Sequence, residues 1–328
     1  MKAAVVSSFG AAPRCQEFPA PAAAGDHGMV VDVIAAGLHP RVRSQADGSH
    51  YTSTGELPLV PGIDGVGRGA DGLLRYFVLP DTRAGAMAEQ TVIDTRRSIV
   101  LPSGSDPIAV AAAMNPAMSS WIALRQRVQF QPGQNVLILG ATGNAGQLAV
   151  QIARLLGAGQ IIAAGRNAAR LAGLPRLGAT GLVPLDGDAG AAAHRLGQAA
   201  AEADVVIDYL WGQPTATAMA AVVTGRADRG KPLTWIEIGS AAGPTAAIPS
   251  AALRAARLQI VGSGQGSVST PEILAELPAL AGQITGGTFD IDARPAPLAE
   301  VEQAWADAAR TTQRIVLTPG PSHPASGG

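Results

Sequence analysis

Cys15 is the only cysteine in the chain. A disulfide within the chain and a cysteine cage around a metal both need more than one, so neither is expected. Charge is sparse too: 15% of residues are charged, and the formal net charge is -1. No basic stripe runs along the sequence, so nucleic acid is not an expected partner. Aromatic residues reach only 4%. No apolar run has the length of a membrane-spanning helix. The opening Met1-Lys2-Ala3-Ala4-Val5-Val6 breaks at Ser7-Ser8, before a signal-peptide core could form. The expectation is a cytoplasmic protein without a membrane partner.

What is present is apolar and small. Hydrophobic residues make up 47% of 328 residues, enough for two cores rather than one. The first part is β-rich. Apolar runs at Met29–Ile34, Leu73–Leu79 and Met87–Ile93 are broken by Pro58, Pro61, Gly62, Gly65, Gly67 and Gly69, which suits a small folded-over sheet. Asn115 before Pro116 reads as a helix start, with Asn as the cap and Pro at the first helical position.

From Asn135 short apolar strands alternate with alanine-rich stretches. The expected strands are Val136–Gly140, Gln160–Ala164, Leu182–Leu185, Asp204–Asp208, Leu233–Ile238 and Leu258–Val261. Continuous apolar strands separated by helices imply a parallel sheet covered on both faces, of the doubly wound dinucleotide-binding kind. A helix near Leu298–Arg310 and a strand at Arg314–Thr318 then return to the first domain, ahead of an unstructured tail from Pro319.

Gly140-Ala141-Thr142-Gly143-Asn144-Ala145-Gly146 joins the first of these strands to a helix whose Leu148, Ile152, Leu155 and Leu156 form an apolar stripe. Gly143 lets backbone approach a pyrophosphate, Gly146 lets helix pack on strand, and the helix N-terminus offers its amides to the anion. An acid about 20 residues further on would select NAD. Here the second strand ends in Gly165-Arg166-Asn167 instead. The planar fork of Arg166 suits a 2′-phosphate, so the expected cofactor is NADP(H).

These segments come in a specific order. A β-rich start is followed by Asn115-Pro116-Ala117-Met118-Ser119-Ser120-Trp121, the glycine loop, Ile238-Gly239-Ser240, and Gly262-Ser263-Gly264-Gln265-Gly266. In that order the chain resembles the zinc-independent quinone oxidoreductase branch of the medium-chain dehydrogenase/reductase superfamily. The resemblance implies an α/β protein: a GroES-like catalytic domain interrupted by a Rossmann domain, with the active site between them, assembled as a homodimer or homotetramer, with the homodimer preferred. It divides the chain into 1–116 with 255–328 for the catalytic part, and 117–254 for the cofactor part. It also places Asn115, Gly239, Ser240, Gly262, Ser263 and Gly264 near the cofactor and Ser119 near the nicotinamide.

Zinc alcohol dehydrogenases of that superfamily carry Gly-His-Glu where this chain has Gly62-Ile63-Asp64. They also need cysteine ligands, and the five histidines here show no ligand spacing, so no metal is expected. Short-chain reductases need a Tyr-x-x-x-Lys pair, which none of Tyr51, Tyr76 and Tyr209 provides. Without a Lewis acid, hydride passes most easily to an acceptor that delocalises charge, such as a quinone or an α,β-unsaturated carbonyl. Tyr51 and His50 are the candidate donors to the acceptor oxygen; His39, where many relatives have Asn, is a third histidine in the same region. A carbonyl reductase relying on Tyr51 or His50, and a cofactor-binding redox sensor without turnover, are the competing readings.

Overall fold

A computed structural model describes residues 1–23, 25–50, 52–264 and 266–320. Tyr51 and Gln265 fall outside these residues, as does the tail beyond Gly320. The chain forms two compact units, Met1–Asn115 with Leu274–Gly328, and Pro116–Ile273.

The second unit is an all-parallel sheet of six strands. Their spatial order is Gly181–Pro184, Ile161–Gly165, Val136–Leu139, Val205–Asp208, Leu233–Glu237, Leu258–Gly262. This is the 3-2-1-4-5-6 arrangement of doubly wound nucleotide-binding sheets. Val136–Leu139 and Val205–Asp208 at its centre are buried at every position, which is why their sequences show no polar alternation. Around them Leu137, Leu139, Val206, Met219, Val222 and Trp235 form one core cluster.

All six expected strands are present, with no end shifted by more than one residue. The division at 255 is not the one the structure makes. Leu258–Gly262 pairs in parallel register with Leu233–Glu237, so the chain leaves this unit only near Ile273. The apolar stripe is also narrower than expected. Leu148 and Ile152 are buried, but Leu155 is 40% exposed because the helix ends there.

In the first unit one long strand, Gly28–Gly37, organises the fold. It pairs with Gln90–Asp94 and with Asp64–Gly69, shifts register between Val33 and Ala35, and meets Arg314–Thr318 at its end. Leu74–Val78, Ser98–Val100 and Ala293–Pro297 complete the seven-stranded sheet, and Lys2–Val5 pairs with Arg14–Glu17 separately. Val5, Val31, Phe77, Met87, Ile93, Trp305 and Leu317 share its core. The sheet therefore draws on both ends of the chain.

The helix start at Asn115 is corrected. A helix runs from Pro107 to Ile122 with Pro116 inside it, so Asn115 is an interior residue and not a cap. Asp106 sits at the true start, its carboxylate accepting from the amide of Ile108 at 2.9 Å. The expectation about apolar runs is corrected with it. Pro107–Arg127 is long and apolar enough to cross a membrane, although 67% of its apolar window is buried inside the protein, as in a core helix.

Candidate functional site

At the carboxyl ends of the parallel strands, Gly140 takes a positive φ of 83°, and its amide and that of Ala141 both donate to Ala164 O at 3.0 Å. This pins the start of the loop to the neighbouring strand. Gly143 then N-caps the helix Asn144–Leu155 with extended backbone and no side-chain cap. The first amide to bond back along this helix is Gln147, to Gly143 O at 2.9 Å. The amides of Asn144, Ala145 and Gly146 come before it, in the first turn of the helix, where backbone N–H groups lack partners along the helix and could take an anion.

The two later glycines do different things. A Cβ at Gly146 would lie 2.3 Å from Gly140 O and 2.6 Å from Ala141 Cα, so only glycine allows helix and strand to approach this closely. A Cβ at Gly143 would meet only Gly140 O, at 3.4 Å, among the described residues. One side is closed against the fold and the other is open, which is the cradle a pyrophosphate needs. Gly165 has a further role: its Cβ would fall 2.5 Å from Thr142 Cγ2, so its bareness seats the loop.

Arg166 stands exposed just after the second strand, where a charged fork can reach a phosphate. Asn167 is occupied locally: its side chain caps the short helix Ala168–Ala172 by accepting from Arg170 N at 3.0 Å. Arg170 was not foreseen. It donates to Thr142 O at 2.6 Å and to Asn144 Oδ1 at 3.2 Å, bracing the phosphate loop from outside.

Across the same strand edge, Tyr209 follows the strand Val205–Asp208. Its hydroxyl lies 3.0 Å from Ser119 Oγ, which itself donates to Pro116 O at 2.7 Å. Burial pushes the Tyr209 hydroxyl up to about 12, against the opposing hydrogen bonds with Ser119 and Ser120. Ser119 Oγ thus links the Tyr209 hydroxyl to the backbone carbonyl of Pro116. Asp208 is fully buried and accepts from Leu210 N, Trp211 N, Thr215 Oγ1 and Trp235 Nε1. That saturates its carboxylate and makes it structural.

Gly239 and Ser240 follow the fifth strand, and Gly239 N donates to Asp208 O at 3.2 Å. Ser263 N is fixed to Glu237 O at 2.8 Å, and Arg127 donates to Gly262 O at 2.9 Å. A Cβ at Gly262 or Gly264 would meet nothing within 4 Å among the described residues, so this turn presents bare backbone.

Two polar clusters of the first unit contain histidines that the sequence singles out. His50 Nδ1 sits 2.8 Å from Thr52 Oγ1, and Thr52 is in turn hydrogen-bonded to Arg41 and Asp81. Partial burial, then Arg41, lowers the His50 pKa and favours neutral imidazole, a weak acid for proton delivery. The second cluster is buried. His39 Nε2 lies 2.9 Å from Asp64 Oδ1, and Tyr76 donates to Asp64 Oδ2 at 2.8 Å. Their exposures are 2%, 1% and 0%. Burial, reinforced by Asp64, drives the Tyr76 hydroxyl well above its ordinary range, so it remains a donor. Arg314, from the last strand, donates to Leu38 O at 3.0 Å; burial lowers it to about 10, and Asp64 works against that shift. Among the described residues no three His, Cys, Asp or Glu side chains come together as a metal site.

No family model matches the chain. A probable NADPH-dependent quinone reductase of Emericella nidulans is 29% identical over 97% of this chain and 100% of its own length. Among solved structures, quinone oxidoreductase of Thermus thermophilus, studied alone and with NADPH, superposes with a TM-score of 0.77 at 24% identity, covering 97% of this chain and 100% of its own. The Escherichia coli quinone oxidoreductase complexed with NADPH gives 0.80 at 20% identity over the same shares. The fold of the chain is the fold of these proteins.

Proposed function

We propose that this chain is an NADPH-dependent oxidoreductase of the zinc-independent quinone oxidoreductase branch, reducing quinones or α,β-unsaturated carbonyls. The observation that carries this reading is the pair of glycines in the phosphate loop, Gly146 closed against Gly140 and Gly143 open, at the switch point of a 3-2-1-4-5-6 sheet. Likeness over its full length to the probable NADPH-dependent quinone reductase of Emericella nidulans supports it.

When bound, NADPH supplies the hydride. The amides of Asn144, Ala145 and Gly146 would hold its pyrophosphate, Arg166 its 2′-phosphate, and the backbone of Gly239, Ser240 and Gly262–Gly264 the nicotinamide half. Arg170 holds the loop in shape through Thr142 and Asn144. Ser119 and Tyr209, locked together at the strand edge, shape the wall where the acceptor would sit. A lone cysteine and Gly62-Ile63-Asp64 favour chemistry without zinc. The acceptor must then spread the developing charge itself, as quinones and enones do.

Tyr51 and His50 belong to the proposal as substrate-facing residues. Work in the cytoplasm as a homodimer belongs to it as well. The test is NADPH oxidation against a panel of quinones, enones and simple ketones, with cofactor binding followed in parallel. Turnover of quinones or enones well above ketones is expected. Ketone preference would favour a carbonyl reductase. Tight NADPH binding without turnover of any acceptor would favour a redox sensor.

A further inference from the structure

We propose that Trp211 is a stacking platform for the nicotinamide half of the bound dinucleotide, with Asp208 as the residue that holds it in place. This deepens the reading above and rests on it.

Trp211 has a φ of 50° and a ψ of -164°. Glycine is almost the sole residue found in that region, because an L side chain there crowds its own backbone. Here the turn carries a tryptophan, and the fold holds it firmly. The buried Asp208 carboxylate accepts from Leu210 N at 2.8 Å and from Trp211 N at 3.1 Å. It is fixed in turn by Thr215 Oγ1 and by Trp235 Nε1. The segment after the fifth strand adds two bonds, Ala241 N to Tyr209 O at 3.2 Å and Ala242 N to Leu210 O at 2.7 Å. Strain that the surroundings over-determine in this way clusters where ligands bind.

The place of this turn in the second unit decides what it can meet. Val136–Leu139 and Val205–Asp208 pair side by side, and the strand order reverses between them. Ligands of such sheets lie in the crevice outside the carboxyl ends of these two strands. One lip of the crevice is the phosphate loop at 140–146, and the other is the turn at 209–212. The two lips touch: a Cβ at Gly140 would lie 3.2 Å from Leu210 Cδ2 and 3.3 Å from Tyr209 Cβ. A dinucleotide across this crevice puts its adenosine half over the second strand, on the side of Arg166. Its nicotinamide half then falls over the fourth and fifth strands, on the side of Trp211.

Trp211 is also the side chain of this turn that has surface to offer. Tyr209 is hydrogen-bonded to Ser119, and Leu210 lies against Gly140. Trp121, Trp235 and Trp305 are buried, whereas Trp211 is half-buried. Its Nε1–H has no partner among the described residues. An indole face suits the nicotinamide ring, which is flat and conjugated, and cationic once oxidised. A ring already fixed by its backbone loses little freedom on contact, so the stack adds affinity at small entropic cost. NADPH and NADH share this half, so Trp211 serves both alike.

The experiment is calorimetry without an acceptor, on wild type, Trp211→Leu, Trp211→Gly and Trp211→Phe, with NADPH and 2′,5′-ADP as the two probes. Trp211→Leu and Trp211→Gly should weaken NADPH by roughly 10- to 100-fold, the worth of a lost aromatic stack. Binding of 2′,5′-ADP, which lacks the nicotinamide half, should match wild type. Trp211→Phe keeps an aromatic face and should lose less NADPH affinity than Trp211→Leu. Acrylamide should quench wild-type tryptophan emission less once NADP⁺ is bound, a protection that Trp211→Phe should lack. Glycine is at ease in this backbone, so Trp211→Gly supplies a folded variant should leucine disturb the turn. Unchanged NADPH affinity in whichever of these two variants stays folded would overturn the assignment. So would an equal loss of 2′,5′-ADP affinity, the sign of a turn distorted as a whole. A wild type that binds neither probe would defeat the cofactor reading itself, and this assignment with it.

Discussion

Ser119 Oγ holds two partners at once, hydrogen-bonded to the Tyr209 hydroxyl at 3.0 Å and to Pro116 O at 2.7 Å. The segment after the fourth parallel strand is thereby tied to the helix Pro107–Ile122 through two side-chain oxygens.

Tyr209 should make the protein sensitive to alkali. Its folded pKa of about 12 stands above the ordinary tyrosine value near 10, so the folded state holds this proton more tightly than the unfolded state. The associated stability is complete below pH ~10 and is lost as pH rises toward ~12, by on the order of 2 kcal/mol. Urea unfolding of Tyr209→Phe should show a shallower decline than wild type over that window. Some decline should remain, because Tyr76 is shifted in the same direction. Parallel curves for variant and wild type would contradict the assignment.

The two loop glycines should separate binding from folding. Gly143→Val puts a branched side chain on the open side of the loop, so NADPH binding should fail while thermal unfolding changes little. Gly146→Ala drives a methyl toward Gly140 O at 2.3 Å, so it should destabilise the fold by about 1–3 kcal/mol as an overpacked site. Calorimetry and thermal melts on the pair check this. Unchanged NADPH affinity in Gly143→Val is the result that would count against the pyrophosphate site.

Arg166 and Arg170 should differ in cofactor selectivity. Arg166→Ala should weaken NADPH by about 1.5–3 kcal/mol, the worth of a charged hydrogen bond, and leave NADH nearly unaffected. Arg170→Ala frees Thr142 and Asn144 in the loop common to both cofactors, so both should bind less tightly. Equal use of NADPH and NADH by the wild-type enzyme would remove the basis for the Arg166 role.

Activity should survive exhaustive chelation, because the only cysteine is Cys15 and Gly62-Ile63-Asp64 stands where zinc alcohol dehydrogenases carry Gly-His-Glu. Activity assayed after dialysis against a strong chelator is the measurement. Loss that zinc restores would show that a metal takes part.

The parallel sheet was legible because its central strands are covered on both faces and so read as unbroken apolar runs. The glycine loop was legible because its spacing follows directly from the turn it makes. Asn115-Pro116 misled because the same dipeptide opens many helices, while here the helix was already under way from Pro107 and tolerates a proline inside it. The division at 255 misled because the sixth strand begins only at Leu258, past a short helix at Ser250–Ala255. Leu155 matched the apolar period but lies at the helix end, where its side chain is 40% exposed. His39, Asp64 and Tyr76 are spaced 25 and 12 residues apart, with no period to link them. Only strand register brings them together, and register is a tertiary property. Arg170 escaped for the same reason, since its partners Thr142 and Asn144 lie 28 and 26 residues earlier.

The strand Gly28–Gly37 meets Arg314–Thr318, and Arg314 reaches back to Leu38 across 276 positions. On a ribosome adding about 5–20 residues per second, that partner emerges on the order of tens of seconds after the first strand. The contiguous stretch Pro116–Ile273 meets no such delay and can close while synthesis continues. The N-terminal sheet must wait with Ala36 and Gly37 unpaired at their end, an open edge during translation. Nascent chains halted before Arg314 should therefore carry a protease-resistant parallel-sheet unit attached to a protease-sensitive N-terminal segment.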